Sequence, residues 1–314
     1  MKIAILDDYQ NVALQMADWS SIPGNPEIKV FHDHLAELEP LVQRLLPFDV
    51  LCIMRERTSM SAALLEHLPN LKLIASTGSR NAAIDTEAAK RQGIEVLHTG
   101  YDSTPTIEFT WALILAATRN IVAENVSLRS GGWQTTVGAD LHGKTLGVVG
   151  LGNIGSRVAE IGRAFGMKVI AWSQNLTKEK AAASGASLVS KEEIFRKADI
   201  VTIHLVLSHR SRGLVGGNEL DLMKPTAYLI NCARGPIVDE AALIETLKAG
   251  KIAGAAVDVF DLEPLPAEHP FRHLPNVLAT PHIGYGSRFL YETFYKDSVA
   301  NIGSWLLGSE GRMK

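Results

Sequence analysis

Cysteine is nearly missing from this chain. Its 314 residues hold two, Cys52 and Cys232, which make no framework of spacings. That excludes a disulfide-stapled scaffold and a cysteine-built metal centre, and no metal is expected. Cys52, inside Val50-Leu51-Cys52-Ile53-Met54, reads as inert core. A dominant charge is missing too: 31 Lys and Arg stand against 34 Asp and Glu, a net charge of −3. With no cluster of lysine and arginine to form a basic stripe, a nucleic-acid partner is not expected. Long apolar runs are also absent. A bilayer span needs about 18 or more apolar residues in a row. The longest candidate, Trp111 to Thr118, is far shorter and reads as buried helix, so no membrane partner is expected. The opening Met1-Lys2-Ile3-Ala4-Ile5-Leu6-Asp7-Asp8 reads as a buried strand ending in acids. A secretory leader would need a longer apolar region and a cleavage site. Together these absences point to a reduced, cytoplasmic protein.

What is present is an alternation. Apolar residues at 46% and charged residues at 21% are ordinary for a globular chain, and the length allows about two domains. Short apolar runs that read as strands fall at Lys2–Leu6, Ile28–Phe31, Val50–Met54, Leu73–Ser76 and Glu95–His98, with helical patterns at Ser61–His67 and Thr86–Arg91 between them. Thr104 to Val122 reads as one long helix, apolar nearly all round and therefore buried on more than one side. A second series follows. Its strands are expected at Thr145–Val149, Lys168–Trp172, Ile200–His204, Ala227–Asn231, Gly254–Val259 and Val277–Ala279. Its helices are expected at Ile154–Phe165, Lys178–Ala183, Lys191–Lys197 and Glu240–Ala249, and a last helical segment runs from Ser287 to Leu307. Strand-helix alternation of this kind makes parallel sheets. The fold class is α/β, with two doubly wound, Rossmann-like halves.

The second series opens on Gly150-Leu151-Gly152-Asn153-Ile154-Gly155, directly after the strand Leu146-Gly147-Val148-Val149. Gly150 permits a tight turn, Gly152 lets backbone approach a pyrophosphate, and Gly155 lets helix and strand pack closely. Asn153 and Ile154 begin the helix whose N–H groups and dipole face the phosphates. The pattern predicts a bound dinucleotide. An acidic residue about 20 residues on would accept bonds from the ribose 2′-hydroxyl of NAD. Here Ser173 stands in that place, followed by Gln174 and Asn175, so no carboxylate repels a 2′-phosphate. This favours NADP, with Lys178 as a candidate counter-charge. NAD held through Gln174 or water is the other reading.

Three more residues follow apolar runs: Arg234, Glu263 and His282. Singly, each has a plain reading as an ion-pair partner, a turn residue before Pro264, and a structural histidine after Pro281. Together they supply what reduction of a keto acid needs. His282 can give a proton near neutral pH. Glu263 can orient the imidazole and favour its charged form. Arg234 can offer a planar fork to carboxylate and carbonyl oxygens.

The stretches that carry these residues are long. They are Lys144-Thr145-Leu146-Gly147 into the glycine loop, Asn231-Cys232-Ala233-Arg234-Gly235-Pro236-Ile237-Val238-Asp239-Glu240, Asp258-Val259-Phe260-Asp261-Leu262-Glu263-Pro264-Leu265, and Thr280-Pro281-His282-Ile283-Gly284. In this order they resemble the D-isomer-specific 2-hydroxyacid dehydrogenase family, of the glyoxylate/hydroxypyruvate reductase and phosphoglycerate dehydrogenase type. The resemblance covers nearly the whole chain. It implies a substrate domain of residues 1–99 plus 285–314, a dinucleotide-binding domain of residues 100–284, and a cleft between them that closes on the ternary complex. It implies that Arg234, Glu263 and His282 are catalytic, with His282 as the acid/base. Asp258 would help to hold the nicotinamide end of the cofactor, and the expected cofactor contacts include Thr104, Cys232, Ala233 and Gly284. Glu263 argues against formate as substrate, since the similar formate dehydrogenases carry an amide there.

On the substrate side the resemblance points to Ser76-Thr77-Gly78-Ser79-Arg80-Asn81, whose backbone N–H groups would grip a carboxylate. Gly78, Ser79 and Arg80 are the expected contacts. Arg80 either reaches a second group on the substrate or faces solvent at a helix start. Arg55 and Arg57 flank Glu56, and one of them is expected to face a distal carboxylate or phosphate while the other pairs with Glu56. Tyr285 would narrow the pocket or add a hydroxyl contact. Relatives are typically homodimers, and the Thr104–Val122 helix with Trp133 is the expected contact. The alternative is a non-catalytic NAD(P)-sensing protein on the same fold.

Overall fold

The computed structural model describes residues 1–310. The chain divides into two compact units, Met1–Asp102 together with the segment from Gly286 onward, and Ser103–Tyr285.

The first unit runs β1 (Lys2–Ile5), α1 (Ala13–Met16), β2 (Glu27–Val30), α2 (Leu38–Leu45), β3 (Val50–Ile53), α3 (Ala62–Leu65), β4 (Leu73–Ser76), α4 (Thr86–Arg91) and β5 (Glu95–His98). The five strands are parallel in the order β2-β1-β3-β4-β5. β3 and β4 are buried at all four positions. Strands covered on both faces read as continuous apolar runs, which is why these segments do not alternate. The core on one face joins Leu51, Ile53 and Ile74 to Leu41, Leu45, Leu64, Leu65, Ala88 and Ala89 from the helices.

The second unit opens with α5 (Thr104–Thr118) and α6 (Ile121–Arg129). It continues with β6 (Thr145–Val149), α7 (Asn153–Ala164), β7 (Lys168–Trp172), α8 (Lys178–Ala183), β8 (Ser187–Leu188), α9 (Lys191–Lys197) and β9 (Ile200–Ile203). Then come α10 (Gly217–Asp221), β10 (Tyr228–Asn231), α11 (Glu240–Lys248), β11 (Gly254–Val257) and β12 (Val277–Ala279). Helix α12 (Arg288–Glu310) belongs to the first unit. The seven strands are parallel in the order β12-β11-β10-β9-β6-β7-β8. The order reverses direction at β6, and ligands of such sheets bind beyond the carboxyl ends of the strands at that switch point.

One expectation fails. Thr104 to Val122 is not a single helix. α5 stops at Thr118, and Asn120 takes the left-handed conformation at φ +52° before α6 begins. Asparagine is one of the few residues that adopts this conformation readily. α5 is buried along its length, from Pro105 and Ile107 through Trp111 to Ile114 and Thr118, whereas α6 has no buried residue. Apolar composition alone did not separate the two. The short elements β8 and α10 give no periodic signal and are found only in the structure.

Candidate active site

The dinucleotide cradle lies at the end of β6. Gly150 turns at φ +101°, and a Cβ there would sit 2.7 Å from the His204 carbonyl oxygen. A Cβ on Gly155 would run into the Gly150 carbonyl. Gly152 caps α7 from an extended conformation without a side-chain bond, and the space around its Cα is open. The N–H groups of the first helical turn have no intrahelical acceptor, so a helix N-terminus and an open approach face the same point. That geometry fits a pyrophosphate. At the end of β7, Ser173 is half-buried and its carbonyl accepts the Leu176 N–H at 3.1 Å, while Gln174, Asn175 and Lys178 are exposed.

Three neighbouring strands, β10, β11 and β12, end on the same side of the sheet because all run parallel. Each is followed by one of the candidate residues Arg234, Glu263 and His282. After β10, Asn231 folds its side chain over the turn. Its Nδ2 donates to the Arg234 carbonyl at 3.0 Å, and its Oδ1 accepts the Ala233 N–H at 3.1 Å. Arg234 is half-buried, and one guanidinium nitrogen donates to the Ala233 carbonyl at 2.7 Å. Gly235 then seats against the Phe260 backbone, where any Cβ would clash. The Arg234 turn is thereby packed on the loop that follows β11.

That loop carries Glu263, whose Oε1 accepts the Phe260 N–H at 2.9 Å. Its Oε2 lies 2.5 Å from His282 Nδ1. His282, after β12, takes a left-handed φ of +51°, which aims its ring at the carboxylate. The loop is held by Asp258. Oδ1 accepts from the Thr280 hydroxyl at 2.6 Å and the Ile283 N–H at 2.9 Å, and Oδ2 accepts the Gly284 N–H at 2.7 Å. Burial raises the Asp258 carboxyl above the usual range, and these three bonds and the nearby His282 oppose that rise. The Tyr285 ring is buried and meets His282 edge-on, with centroids 5.8 Å apart. Cys232 is half-buried at the same sheet edge, and burial first, then the Asp258 charge, push its thiol up to about 12.

In the first unit, the Gly78 loop follows β4. Gly78 sits at φ +86° and its N–H donates to Thr99 Oγ1 at 2.7 Å. Arg55 lies against it so closely that a side chain on Gly78 would strike the guanidinium. Arg55 is itself left-handed at φ +50°. It pairs with Glu56 at 3.6 Å and stands 5.2 Å from the Tyr101 ring centroid. Arg57 turns elsewhere, donating to the Asp7 carbonyl at 2.9 Å over the face of Tyr9. Asn81 ties the loop together through the Arg55 carbonyl at 2.5 Å and Ser76 Oγ at 3.1 Å. Ser79 and Arg80 are exposed. Arg80 is not a helix-start residue, since α4 begins at Thr86.

Residues 111–284 match the model of the D-isomer specific 2-hydroxyacid dehydrogenase, NAD binding domain. The chain belongs to this family. Among its relatives, a glyoxylate reductase of Aeropyrum pernix is 45% identical over 235 residues, covering 72% of this chain and 70% of that protein. A D-3-phosphoglycerate dehydrogenase of Methanocaldococcus jannaschii is 41% identical over 250 residues. That match covers 78% of this chain and 47% of that protein, so the chain spans about half the length of that relative. The crystal structure of a phosphoglycerate oxidoreductase from Vibrio cholerae O395 superposes with a TM-score of 0.93 at 38% identity, covering 98% of this chain and 99% of that one.

Within this 2-hydroxyacid dehydrogenase unit the structure brings together Arg234, Glu263, His282, Asp258, Cys232, Ala233, Gly284 and Tyr285 at the ends of β10 to β12. Gly150, Gly152, Asn153, Ile154 and Gly155 stand at β6, and Ser173 and Gln174 at β7. Thr104 opens α5. Arg55, Arg57, Gly78, Ser79 and Arg80 lie in the first unit. Asn231 and Thr280 carry no sequence signal of their own beyond standing within the motifs as the polar residue at or just beyond a strand end. No group of His, Cys, Asp and Glu suited to a metal occurs among the described residues, and none of their helices is long and apolar enough to cross a membrane.

Proposed function

We propose that the protein is an NAD(P)-dependent reductase of small 2-oxo acids, with His282 as the acid/base. The observation that carries this reading is the Glu263–His282 pair. Its 2.5 Å contact occupies Nδ1 and leaves Nε2 to serve the substrate. When bound, a reduced nicotinamide would supply the hydride for C2 of the 2-oxo acid. The chain's own residues manage the charge and the proton. Arg234 faces the carboxylate and carbonyl oxygens and favours the developing alkoxide. Glu263 holds the imidazole by Nδ1 and so fixes the direction of Nε2. The proton then passes from His282 Nε2 to the alkoxide oxygen and completes the 2-hydroxy acid. Asp258 holds the backbone from Thr280 to Gly284 and so fixes where that proton is delivered.

Glyoxylate and hydroxypyruvate are the first substrates to test, because they need little room and relatives are named for their reduction. NADP is favoured over NAD because Ser173 presents no carboxylate to a 2′-phosphate. We also propose a homodimer contact; of the expected Thr104–Val122 helix and Trp133, α5 is buried along its length, so the contact falls on α6, which starts at Ile121, and on Trp133 in the loop beyond it. Ile121, Leu128 and Trp133 are exposed and border one groove there, Trp133 at 76%, and grouped exposed apolar side chains of this kind mark interaction sites. Light scattering after size exclusion that gave only the 34.1 kDa chain mass would remove the dimer.

The test of the function is loss of absorbance at the reduced-nicotinamide band with NADPH and NADH, separately, against a panel of 2-oxo acids. Turnover of a small 2-oxo acid supports the reductase. Tight cofactor binding without turnover across the panel would instead favour a sensing role.

A further inference from the structure

Behind the Glu263 loop lies a second histidine–carboxylate pair. Glu240, the first residue of α11, places Oε1 3.0 Å from His269 Nε2. Its Oε2 accepts the Asp261 N–H at 3.3 Å. His269 Nδ1 accepts the Phe271 N–H at 3.2 Å, which fixes the neutral tautomer with its hydrogen on Nε2, directed at Glu240. The His269 ring packs on Phe271 at 5.0 Å between centroids, and Phe271 packs on Phe260 at 6.3 Å. Phe260 is the residue whose N–H holds Glu263. One residue further along the turn, Arg272 donates to the carbonyls of Leu265 at 2.6 Å and Pro266 at 2.9 Å.

The loop from Asp258 to Pro266 is therefore held at several points along its length. Gly235 presses on the Phe260 backbone from the Arg234 turn. Glu240 holds Asp261, and the turn His269–Arg272 holds Phe260, Leu265 and Pro266. A carboxylate that must sit within hydrogen-bond reach of one imidazole nitrogen loses its alignment if this loop shifts by a fraction of an ångström. We propose that Glu240 and His269 are positioning residues for the reaction, acting through Asp261 and Phe260 to hold Glu263 on His282. Neither touches the reacting atoms.

This inference rests on the proposed reductase, so its test has one arm that needs no turnover. The hydrogen between Glu263 Oε2 and His282 Nδ1 should give a far-downfield proton NMR signal, assigned by its loss in His282→Ala. The signal should be sharp in the wild type, broadened or lost in His269→Ala and Glu240→Ala, and restored in His269→Gln, whose amide can still donate to Glu240. In the kinetic arm, His269→Ala should lower kcat by about tenfold, with KM for the 2-oxo acid and the NADPH dissociation constant within about twofold. His269→Gln should recover most of the loss. Circular dichroism checks folding. If Glu240→Ala fails to fold, the His269 pair of variants decides alone. A folded His269→Ala with wild-type kcat and an unchanged downfield signal would overturn the proposal. An inactive wild type with that signal intact would overturn the reductase reading and leave the NMR comparison to judge the brace.

Discussion

Glu263 binds two partners with its two oxygens: the Phe260 N–H at 2.9 Å and His282 Nδ1 at 2.5 Å. The first bond belongs to Glu263's own loop and the second crosses to the next strand end. The carboxylate is thus fixed by one contact before it orients the other residue. This is the arrangement expected of a group that must hold an imidazole in one tautomer and one direction.

Replacing His282 with Ala should cut turnover by roughly two to four powers of ten, the usual worth of a general acid. NADPH affinity should be unchanged, since the glycine cradle stands at another strand. Steady-state rates beside fluorescence titration of NADPH separate the two effects, and wild-type-like turnover would remove His282 from the mechanism.

Asp258→Asn is isosteric yet should be costly. Both carboxylate oxygens accept from fixed donors, and an amide must turn its NH₂ toward one of them. A lost bond with a buried donor left behind costs about 1–3 kcal/mol. Thermal unfolding should move down and kcat should fall together. An unchanged midpoint would mean that the Thr280–Gly284 backbone does not depend on this carboxylate.

Ser173→Asp should move preference toward NADH, because a carboxylate would then face any 2′-phosphate and accept from a ribose hydroxyl. The readout is the ratio of kcat/KM for NADH and NADPH. A ratio that stayed put would refute the reading of this strand end.

His204 gives a pH prediction. Burial of its ring lowers it from 6.5 to about 3, and Thr202 Oγ1 is its partner at 2.9 Å. Below pH 6.5 the unfolded chain takes up a proton that the folded chain refuses until about pH 3. Stability is therefore full above pH 6.5 and falls progressively as pH drops toward 3. His204→Gln, which has no proton to gain, should flatten this part of the profile in denaturant titrations. Parallel profiles for the two proteins would show that His204 is protonated in the folded state.

The sequence by itself determined the parallel α/β architecture, the glycine cradle and the three strand ends that carry Arg234, Glu263 and His282. These are local properties: apolar runs such as Val50–Ile53 and Ile200–Ile203 report burial on both faces, and a glycine motif reports a turn. The tertiary structure alone decided which residues meet. Helix α5 breaks from α6 at Asn120 because the chain leaves its core there, and composition does not record where a core ends. Arg55 and Arg57 are near-equivalent on paper. One lies against Gly78 and the other on Asp7 because strand β3 lies between β1 and β4. His269 looks like any loop histidine until the order β10-β11-β12 brings its turn against Glu240. Such pairings depend on strand order and on side-chain reach across tens of residues of chain, and no periodicity along a single element encodes them.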